Sequence, residues 1–193
     1  MKKIKIFDID DTLFFANQMI GMEVEGVFRW ITQQEFHEHD VAGTVHSNLD
    51  FQNLNNSIDF LENLQPNMIA IERLQKDIDQ NDSRIVVMTA RHPMNDIPLF
   101  KTAFHQYGID TDKVELIFAG IAGEPHWSSH KKKAVFFEEF LQENYDEIEI
   151  IDDNTSNLKE LHYLALDYPF THIKSYHVKP DGTINKYCTK WGR

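Results

Sequence analysis

Three short runs rich in β-branched residues constrain the fold of this sequence more than any other feature. They lie at 4–7 (IKIF), 84–88 (RIVVM) and 147–151 (EIEII), and stretches with helical periodicity separate them. A continuous apolar strand is typical of a parallel sheet that is covered by helices on both faces. Strands that alternate with helices in this way predict an α/β fold with an open, mostly parallel sheet and right-handed crossovers.

Polar residues follow each of these runs at the point where the strand is expected to end. In an open parallel sheet the carboxyl ends of the strands share one edge, and ligands bind outside that edge. We therefore expect the three polar groups to converge on a single pocket. They are Asp8 and Asp10 after the first run, Thr89, Ala90 and Arg91 after the second, and Asp152 and Asp153 after the third.

The carboxylates after the first strand indicate chemistry. Alternate residues of a strand point the same way, so Asp8 and Asp10 are expected to emerge together. Two adjacent carboxylates repel each other unless a cation lies between them, and a divalent metal meets that need. One carboxylate can then attack phosphorus while the other handles the proton. The plainer interpretation is a core strand that runs out into a polar turn.

Composition limits the classes of function. The chain has 193 residues and a formal net charge of −12, which disfavours an extended nucleic-acid footprint but not a small phosphorylated ligand. No apolar run approaches the roughly 18–20 residues that span a bilayer. The strand that carries the site begins directly after the first residues, so we expect no cleaved signal peptide and a cytoplasmic location. The one cysteine, Cys188, fits a reducing compartment.

The segment from 14 to 65 is too long and too weakly periodic for an ordinary connection inside a compact domain. We interpret it as a cap or flap inserted into a core of residues 1–13 and 66–193, with a short hairpin at 23–32, a helical turn near 32–36, and Pro66 opening the next helix. His37, His39 and His46 are expected to be solvated loop residues. Four aromatic residues either form the core of the cap or stack on a base: Phe14, Phe15, Phe28 and Trp30.

The motifs match a family when they are read in order. DIDDT, then VVMTAR, then a lysine ahead of a helix, then IEIIDDN resemble the four motifs of the haloacid dehalogenase (HAD) superfamily of phosphohydrolases. The resemblance spans about residues 3–166, and the insertion falls where that superfamily carries a cap. TAR and the paired aspartates look most like the branch with the 3′-phosphatase domain of phage polynucleotide kinase. The layout is also similar to uncharacterised phage-encoded members, so a phage-encoded chain is expected in the host cytoplasm.

The resemblance implies a Rossmann-like fold and specific roles. Asp8 is expected to form an aspartyl-phosphate, and Asp10 to protonate the leaving group and then activate water. Asp8, the backbone carbonyl of Asp10, and Asp152 are expected to hold Mg²⁺. The Thr89 hydroxyl is expected to bind a phosphoryl oxygen, and a lysine to offset charge at phosphorus.

Other assignments are less direct. Lys133 shares a helical face with Phe137, Phe140 and Leu141 and is expected to point inward, while Lys131 and Lys132 point toward solvent. Arg91 is either a second phosphate ligand or the ion-pair partner of Asp153, and Ala90 lies with Thr89 and Arg91 in the expected phosphate-binding segment. Asp11 and Asp153 are expected to lie just behind the metal ligands, and Thr12 to brace the loop.

The expected function is a magnesium-dependent phosphomonoester hydrolase. Its expected partner is a small phosphorylated substrate, which includes a nucleotide or a short oligonucleotide end. Two alternatives stay open: a catalytically silent module that binds phosphate or a partner on the same scaffold, and a phosphotransferase, which passes the phosphoryl group to an alcohol instead of water.

Overall fold

The structure, a computed structural model, describes residues 1–24, 26–32, 35, 47–50, 52–124 and 127–188. Its strands are β1 (Lys3–Asp8), β2 (Phe14–Ala16), β3 (Met19–Val24), β4 (Val27–Thr32), β5 (Ser47–Asp50), β6 (Leu64–Pro66), β7 (Arg84–Thr89), β8 (Glu115–Phe118), β9 (Glu147–Asp152), β10 (His172–Val178) and β11 (Ile184–Tyr187). Its α-helices are α1 (Ser57–Asn63), α2 (Met68–Gln80), α3 (Ile97–His105), α4 (Ser129–Gln142) and α5 (Thr155–Leu164).

The main sheet has the strand order β11-β10-β9-β1-β7-β8 within the described residues. β1 pairs in parallel with β7 on one side and with β9 on the other, and β11 alone runs antiparallel to its neighbour. An open, mostly parallel sheet flanked by helices was the predicted fold class, and it is confirmed. The topology places the carboxyl ends of β1, β7 and β9 side by side.

Helices cover both faces of this sheet. Successive side chains of a strand point to opposite faces, so an apolar strand has residues to bury on each face. Ile4 and Ile6 of β1 belong to a core cluster that includes α4 and α5 residues, whereas Phe7 belongs to a second cluster with residues of α2 and α3. Such two-sided burial explains why the three runs that predicted these strands are so rich in β-branched residues. No helix in the described part of the chain is long and apolar enough to cross a membrane.

The helix after the insertion begins later than predicted. Pro66 lies in β6, where it pairs with Phe14 of β2, and α2 begins at Met68 after Asn67. The expectation that Pro66 opens the helix was therefore wrong, because antiparallel pairing of β6 with β2 holds this residue in an extended conformation. The helix ends at Gln80, and its cap residue Asn81 has a left-handed backbone with φ of 48°.

The described residues between 14 and 65 form a more regular structure than the sequence suggested. β3 and β4 form the predicted antiparallel hairpin, and β5 joins them in a sheet of order β4-β3-β5. β2 and β6 pair with each other at the two ends of the region. Its assignment as a cap remains a prediction. His37, His39, His46 and most of the turn predicted near 32–36 lie outside the described residues.

The aromatic residues of this region have two different environments. Phe14 is fully buried and contacts Phe60 and Phe104 edge-on, at ring centroid distances of 5.8 and 5.2 Å. Phe28 and Trp30 of β4 pack against each other but remain 50% and 45% exposed. Phe14 thus belongs to the core cluster of the main sheet and not to the small cluster of Ile20, Met22 and Ile31, and Phe28 and Trp30 belong to neither, so the interpretation as the core of the cap was wrong for these three residues.

Candidate active site

The alternation of side chains along β1 and β9 places the carboxylates of Asp8 and Asp152 on the same face of the sheet. Asp8 continues the face of β1 that Ile4 and Ile6 define, and Asp152 continues the corresponding face of β9. Because β1 and β9 are parallel neighbours with Phe7 opposite Ile151, both carboxylates emerge at one edge on the α4 side. Asp8 is 5% and Asp152 is 1% exposed.

Lys133 joins these two carboxylates from α4. Its Nζ lies 2.6 Å from Oδ1 of Asp8 and 2.8 Å from Oδ2 of Asp152, and the side chain is buried. The predicted inward orientation is confirmed. Lys132 instead donates a hydrogen bond to the carbonyl oxygen of Gly120, and Lys131 is exposed.

The cluster carries more negative charge than its lysine can balance. Burial raises the pKa of Asp8 well above its ordinary value, Lys133 opposes this, and the charges of Asp152 and Asp153 add to the increase. Burial, reinforced by Asp152, raises the pKa of Asp153 to about 7. Burial acts to lower the pKa of Lys133, but the attraction of Asp152 and Asp8 outweighs it, so that pKa is raised. The site therefore favours the binding of a further cation.

The geometry of the carboxylates fits a divalent metal. Asp8, Asp152 and Asp153 each offer one oxygen, and the three atoms lie within 4.8 Å of one another. Carboxylate oxygens are the ligands that Mg²⁺ and Ca²⁺ prefer. The structure thus brings together Asp8 and Asp152, two residues predicted as ligands, and adds Asp153, which was expected behind them. The carboxylate of Asp10 is outside this group; only its backbone carbonyl was expected to coordinate the metal.

Asp10 is held by a different cation. Nε of Arg91 lies 2.9 and 3.0 Å from the two carboxylate oxygens, and Nη2 also donates to Oδ1. The Thr89 hydroxyl donates to Oδ2 at 2.9 Å. Burial acts to raise the pKa of Asp10, but the attraction and hydrogen bonds of Arg91, together with the Thr89 bond, leave it lowered. The alternative in which Arg91 pairs with Asp153 was wrong, because the turn after β7 aims the guanidinium at Asp10.

The segment from Thr89 to Arg91 is fixed by a close backbone contact. The Arg91 N–H donates to Oγ1 of Thr89 at 3.1 Å, and Gly120 donates to the carbonyl oxygen of Arg91 at 3.0 Å. A Cβ atom at Gly120 would lie only 2.4 Å from the Arg91 carbonyl and 2.6 Å from that of Ala90. Glycine is therefore required at 120.

The loop after β1 is braced from β9. Oγ1 of Thr12 accepts a hydrogen bond from the Asp153 N–H at 3.0 Å, which confirms the expected bracing role. Asp11 has a left-handed backbone with φ of 54°. Burial and the charge of Asp10 raise the pKa of Asp11 to about 6, against the influence of Arg91.

Sequence reasoning missed two residues that support the site. Asn157, the third residue of α5, donates from Nδ2 to both oxygens of Asp152 at 2.9 Å. The sequence did contain a signal for this role: Asn157 follows Asp152, the last residue of β9, by five positions and lies in the first turn of the next helix. Gln18 contacts Arg91 from the start of the insertion, and its sequence context carried no such signal.

Comparison with known proteins shows similarity to solved structures. No family model matches the chain, and no curated protein does. Among solved structures, a HAD family enzyme from Bacteroides thetaiotaomicron, in complex with magnesium and inorganic phosphate, superposes over 93% of this chain and 96% of its own. The identity is 14% and the TM-score 0.42. The fold class given above is based on the strand order of this chain alone.

Proposed function

We propose that this protein is a magnesium-dependent phosphomonoester hydrolase of the haloacid dehalogenase type. The observation that carries the proposal is the buried group of Asp8, Lys133 and Asp152 at the carboxyl edge of the parallel sheet, with Asp10 two residues from Asp8. Surplus negative charge in a buried site is costly for a scaffold. It suits a site that binds a cation and then a phosphate.

Asp8, Asp152 and Asp153 would hold the magnesium ion, together with the backbone carbonyl of Asp10. The bound ion would neutralise charge between a carboxylate and a phosphate dianion. Asn157 and the Asn154 N–H hold Asp152 in place through hydrogen bonds of 2.8–2.9 Å. Lys133 is positioned to share the phosphate charge, since its ammonium already lies against Asp8.

In the first step an oxygen of Asp8 attacks phosphorus, the bond from phosphorus to the leaving oxygen breaks, and Asp10 gives that oxygen a proton. In the second step Asp10 takes a proton from water. The water oxygen attacks phosphorus, and the bond from phosphorus to Asp8 breaks, which restores the carboxylate.

The two steps need opposite protonation states of Asp10. The ion pair with Arg91 favours the charged form, which is the form that accepts a proton from water. A phosphate dianion beside Asp10 disfavours that charge, and so favours the protonated form required in the first step.

We further propose a small substrate, a nucleotide or a short oligonucleotide end. The buried cations at the site, among the described residues, are Lys133 and Arg91, and each already contacts a carboxylate. With a net charge of −12, an extended polyanion gains little from this surface. Thr89, Ala90 and Arg91 would bind the transferring phosphoryl group at the end of β7.

The test is an assay of phosphorylated sugars, mononucleotides and end-phosphorylated oligonucleotides with magnesium or with a chelator. Asp8→Asn should lower kcat by at least about a thousandfold, because an amide is a poor nucleophile. Asp79→Asn, a change at an exposed aspartate of α2, is the matched control and should leave kcat unchanged.

Acid-quenched wild-type protein should carry the mass of one phosphoryl group on the peptide that contains Asp8. Substantial turnover by Asp8→Asn would exclude the covalent mechanism. A specificity constant that rises steadily with oligonucleotide length and collapses on adding salt would exclude the small-substrate assignment.

A further inference from the structure

Gln18 is a buried glutamine whose side chain joins three parts of the chain. It is 1% exposed. Its Nε2 donates to the carbonyl oxygen of Asn53 at 2.6 Å and to Oδ2 of Asp59 at 2.9 Å. Its Oε1 accepts a hydrogen bond from Nη1 of Arg91. A buried amide with all of these contacts has one well-defined orientation, because reversing it would place donors against donors.

The contact with Arg91 completes the fixation of the guanidinium. Nε and Nη2 bind Asp10 on one edge, while Nη1 binds Gln18 and the carbonyl oxygen of Leu54 on the other. The group also lies over the Phe60 ring, with 5.2 Å between Cζ and the ring centroid. An arginine offers five N–H donors in a rigid plane, so bonds on both edges fix its position and its rotation.

We infer that Gln18 is a positioning residue for the reaction: through Arg91 it holds the Asp10 carboxylate where a proton must be exchanged with the leaving group and with water. This inference rests on the proposed function. In the described part of the chain, the Asp10 carboxylate has two hydrogen-bond partners, Thr89 and Arg91. Gln18 and the Leu54 carbonyl determine where Arg91 lies.

The arrangement links the insertion to the chemistry. The groups that hold Arg91 on its outer edge, Gln18 and Leu54, lie within residues 14–65, and Gln18 is anchored in turn to Asn53 and Asp59 of the same region. A displacement of this segment therefore moves Arg91 and with it Asp10. A misplacement of about 1 Å in a reacting group costs on the order of a hundredfold in rate.

The first arm of the test is kinetic. Gln18→Met keeps the length of the side chain and removes its polar atoms. We expect kcat to fall about tenfold to a hundredfold while KM changes by no more than about threefold, because a displaced Arg91 moves the Asp10 carboxylate away from the proton that is transferred, whereas Lys133 and the proposed metal ligands still bind the phosphate. Gln75→Met is the matched control: Gln75 is a half-buried glutamine of α2 that donates to the Tyr107 carbonyl, outside the site, and kcat should stay unchanged.

A rescue variant separates positioning from loss of packing. Gln18→Glu with Asp59→Asn keeps an acceptor for Arg91 and lets the new amide donate to the new carboxylate, but it loses the donor to the Asn53 carbonyl, so the recovery is partial. We expect kcat at least about threefold above that of Gln18→Met. A kcat for Gln18→Met equal to wild type, a raised KM with unchanged kcat, an equal loss in Gln75→Met, or no recovery in the double variant would each overturn the inference.

The second arm does not depend on turnover. The Arg91 Nε–H, assigned in ¹H–¹⁵N spectra with Arg91→Lys, should exchange slowly with solvent in the wild type and at least about tenfold faster in Gln18→Met. Unchanged exchange would overturn the inference even if kcat fell. If the wild type hydrolyses no phosphomonoester, the proposed function fails, and the exchange result alone decides whether Gln18 positions Arg91.

Discussion

The two sides of β1 each carry a buried lysine in an ion pair, and the pairs differ in charge balance. On the α2 side, Nζ of Lys5 lies 2.6 Å from Asp77, and Arg73 binds Glu149 at 2.7 Å beside it. These are two cations and two anions. On the α4 side, Lys133 is the one cation among the described residues that contacts Asp8 and Asp152, and Asp153 lies next to them.

The difference in charge balance separates an ion pair that is complete within the protein from a group that can bind a further cation. A balanced buried pair satisfies its charges within the protein, so it needs nothing from solution. An unbalanced group keeps a field that attracts a cation. Burial, the larger cause, and this field together raise the pKa values of Asp8 and Asp153. Similar distances at the two lysines therefore accompany different charge balances.

The largest expected effect separates the two lysines. Lys133→Met leaves Asp8 and Asp152 buried together without a cation and should lower the free energy of unfolding of the metal-free protein by about 3–5 kcal/mol. Turnover should fall at least about a hundredfold, because the charge beside the phosphate is lost. Magnesium should restore part of the stability.

Lys5→Met is the comparison for that experiment. It should cost about 3 kcal/mol, without any rescue by magnesium, and the double change Lys5→Met with Asp77→Leu should recover most of it, since an apolar pair replaces the ion pair. Denaturant titrations of the wild type and of the three variants, each with and without magnesium, measure these free energies of unfolding. An equal magnesium rescue of both single variants would remove the distinction between the two sides of β1.

The next effect concerns metal binding in the intact protein. Magnesium at about a hundred times its dissociation constant should raise the free energy of unfolding by about 2.7 kcal/mol. Asp152→Asn should abolish most of this increase, whereas Lys5→Met should retain it. Calorimetric unfolding at rising magnesium concentration provides the measurement, and an undiminished increase in Asp152→Asn would place the metal elsewhere.

The smallest effect is a pH dependence. The pKa of Asp153 is raised from 3.8 to about 7, so between these values the metal-free folded protein binds a proton that the unfolded chain has released. The contribution of this group to stability is therefore greatest below about pH 4 and is lost as pH rises toward 7. The difference in unfolding free energy between wild type and Asp153→Asn should follow that course in metal-free buffer. A difference that is constant from pH 4 to pH 8 would contradict the assignment.

Strand ends were predictable because local sequence determines them. β-branched runs followed by aspartate or threonine gave β1, β7 and β9, and the parallel arrangement then placed Asp8 beside Asp152. Helical periodicity was likewise enough to select Lys133 among three consecutive lysines, since only its direction is shared with Phe137 and Leu141.

Contacts between distant segments were not predictable in the same way. The partner of Arg91 depends on the direction of one flexible side chain after β7, so Asp10 and Asp153 were indistinguishable as partners from sequence. Gln18 acts through a contact with a residue 73 positions away, and nothing in its own neighbourhood indicates it. Pro66 was misassigned because its pairing with β2 is a tertiary contact that outweighs the local preference.

The central place of β1 has a consequence for how the chain folds. This strand is synthesised before both of its neighbours. The ion pair of Asp8 can form only after Lys133, 125 residues later in the sequence, has been synthesised. Contacts between residues so far apart in sequence form slowly, because closing a long loop lowers the entropy of the chain before any favourable contact compensates for that loss. Until β7 and β9 are synthesised, β1 has no neighbouring strand to pair with. Its apolar residues Ile4, Ile6 and Phe7 are then exposed and can associate with other chains. The strand that carries Asp8 thus depends on protection while the chain is being synthesised.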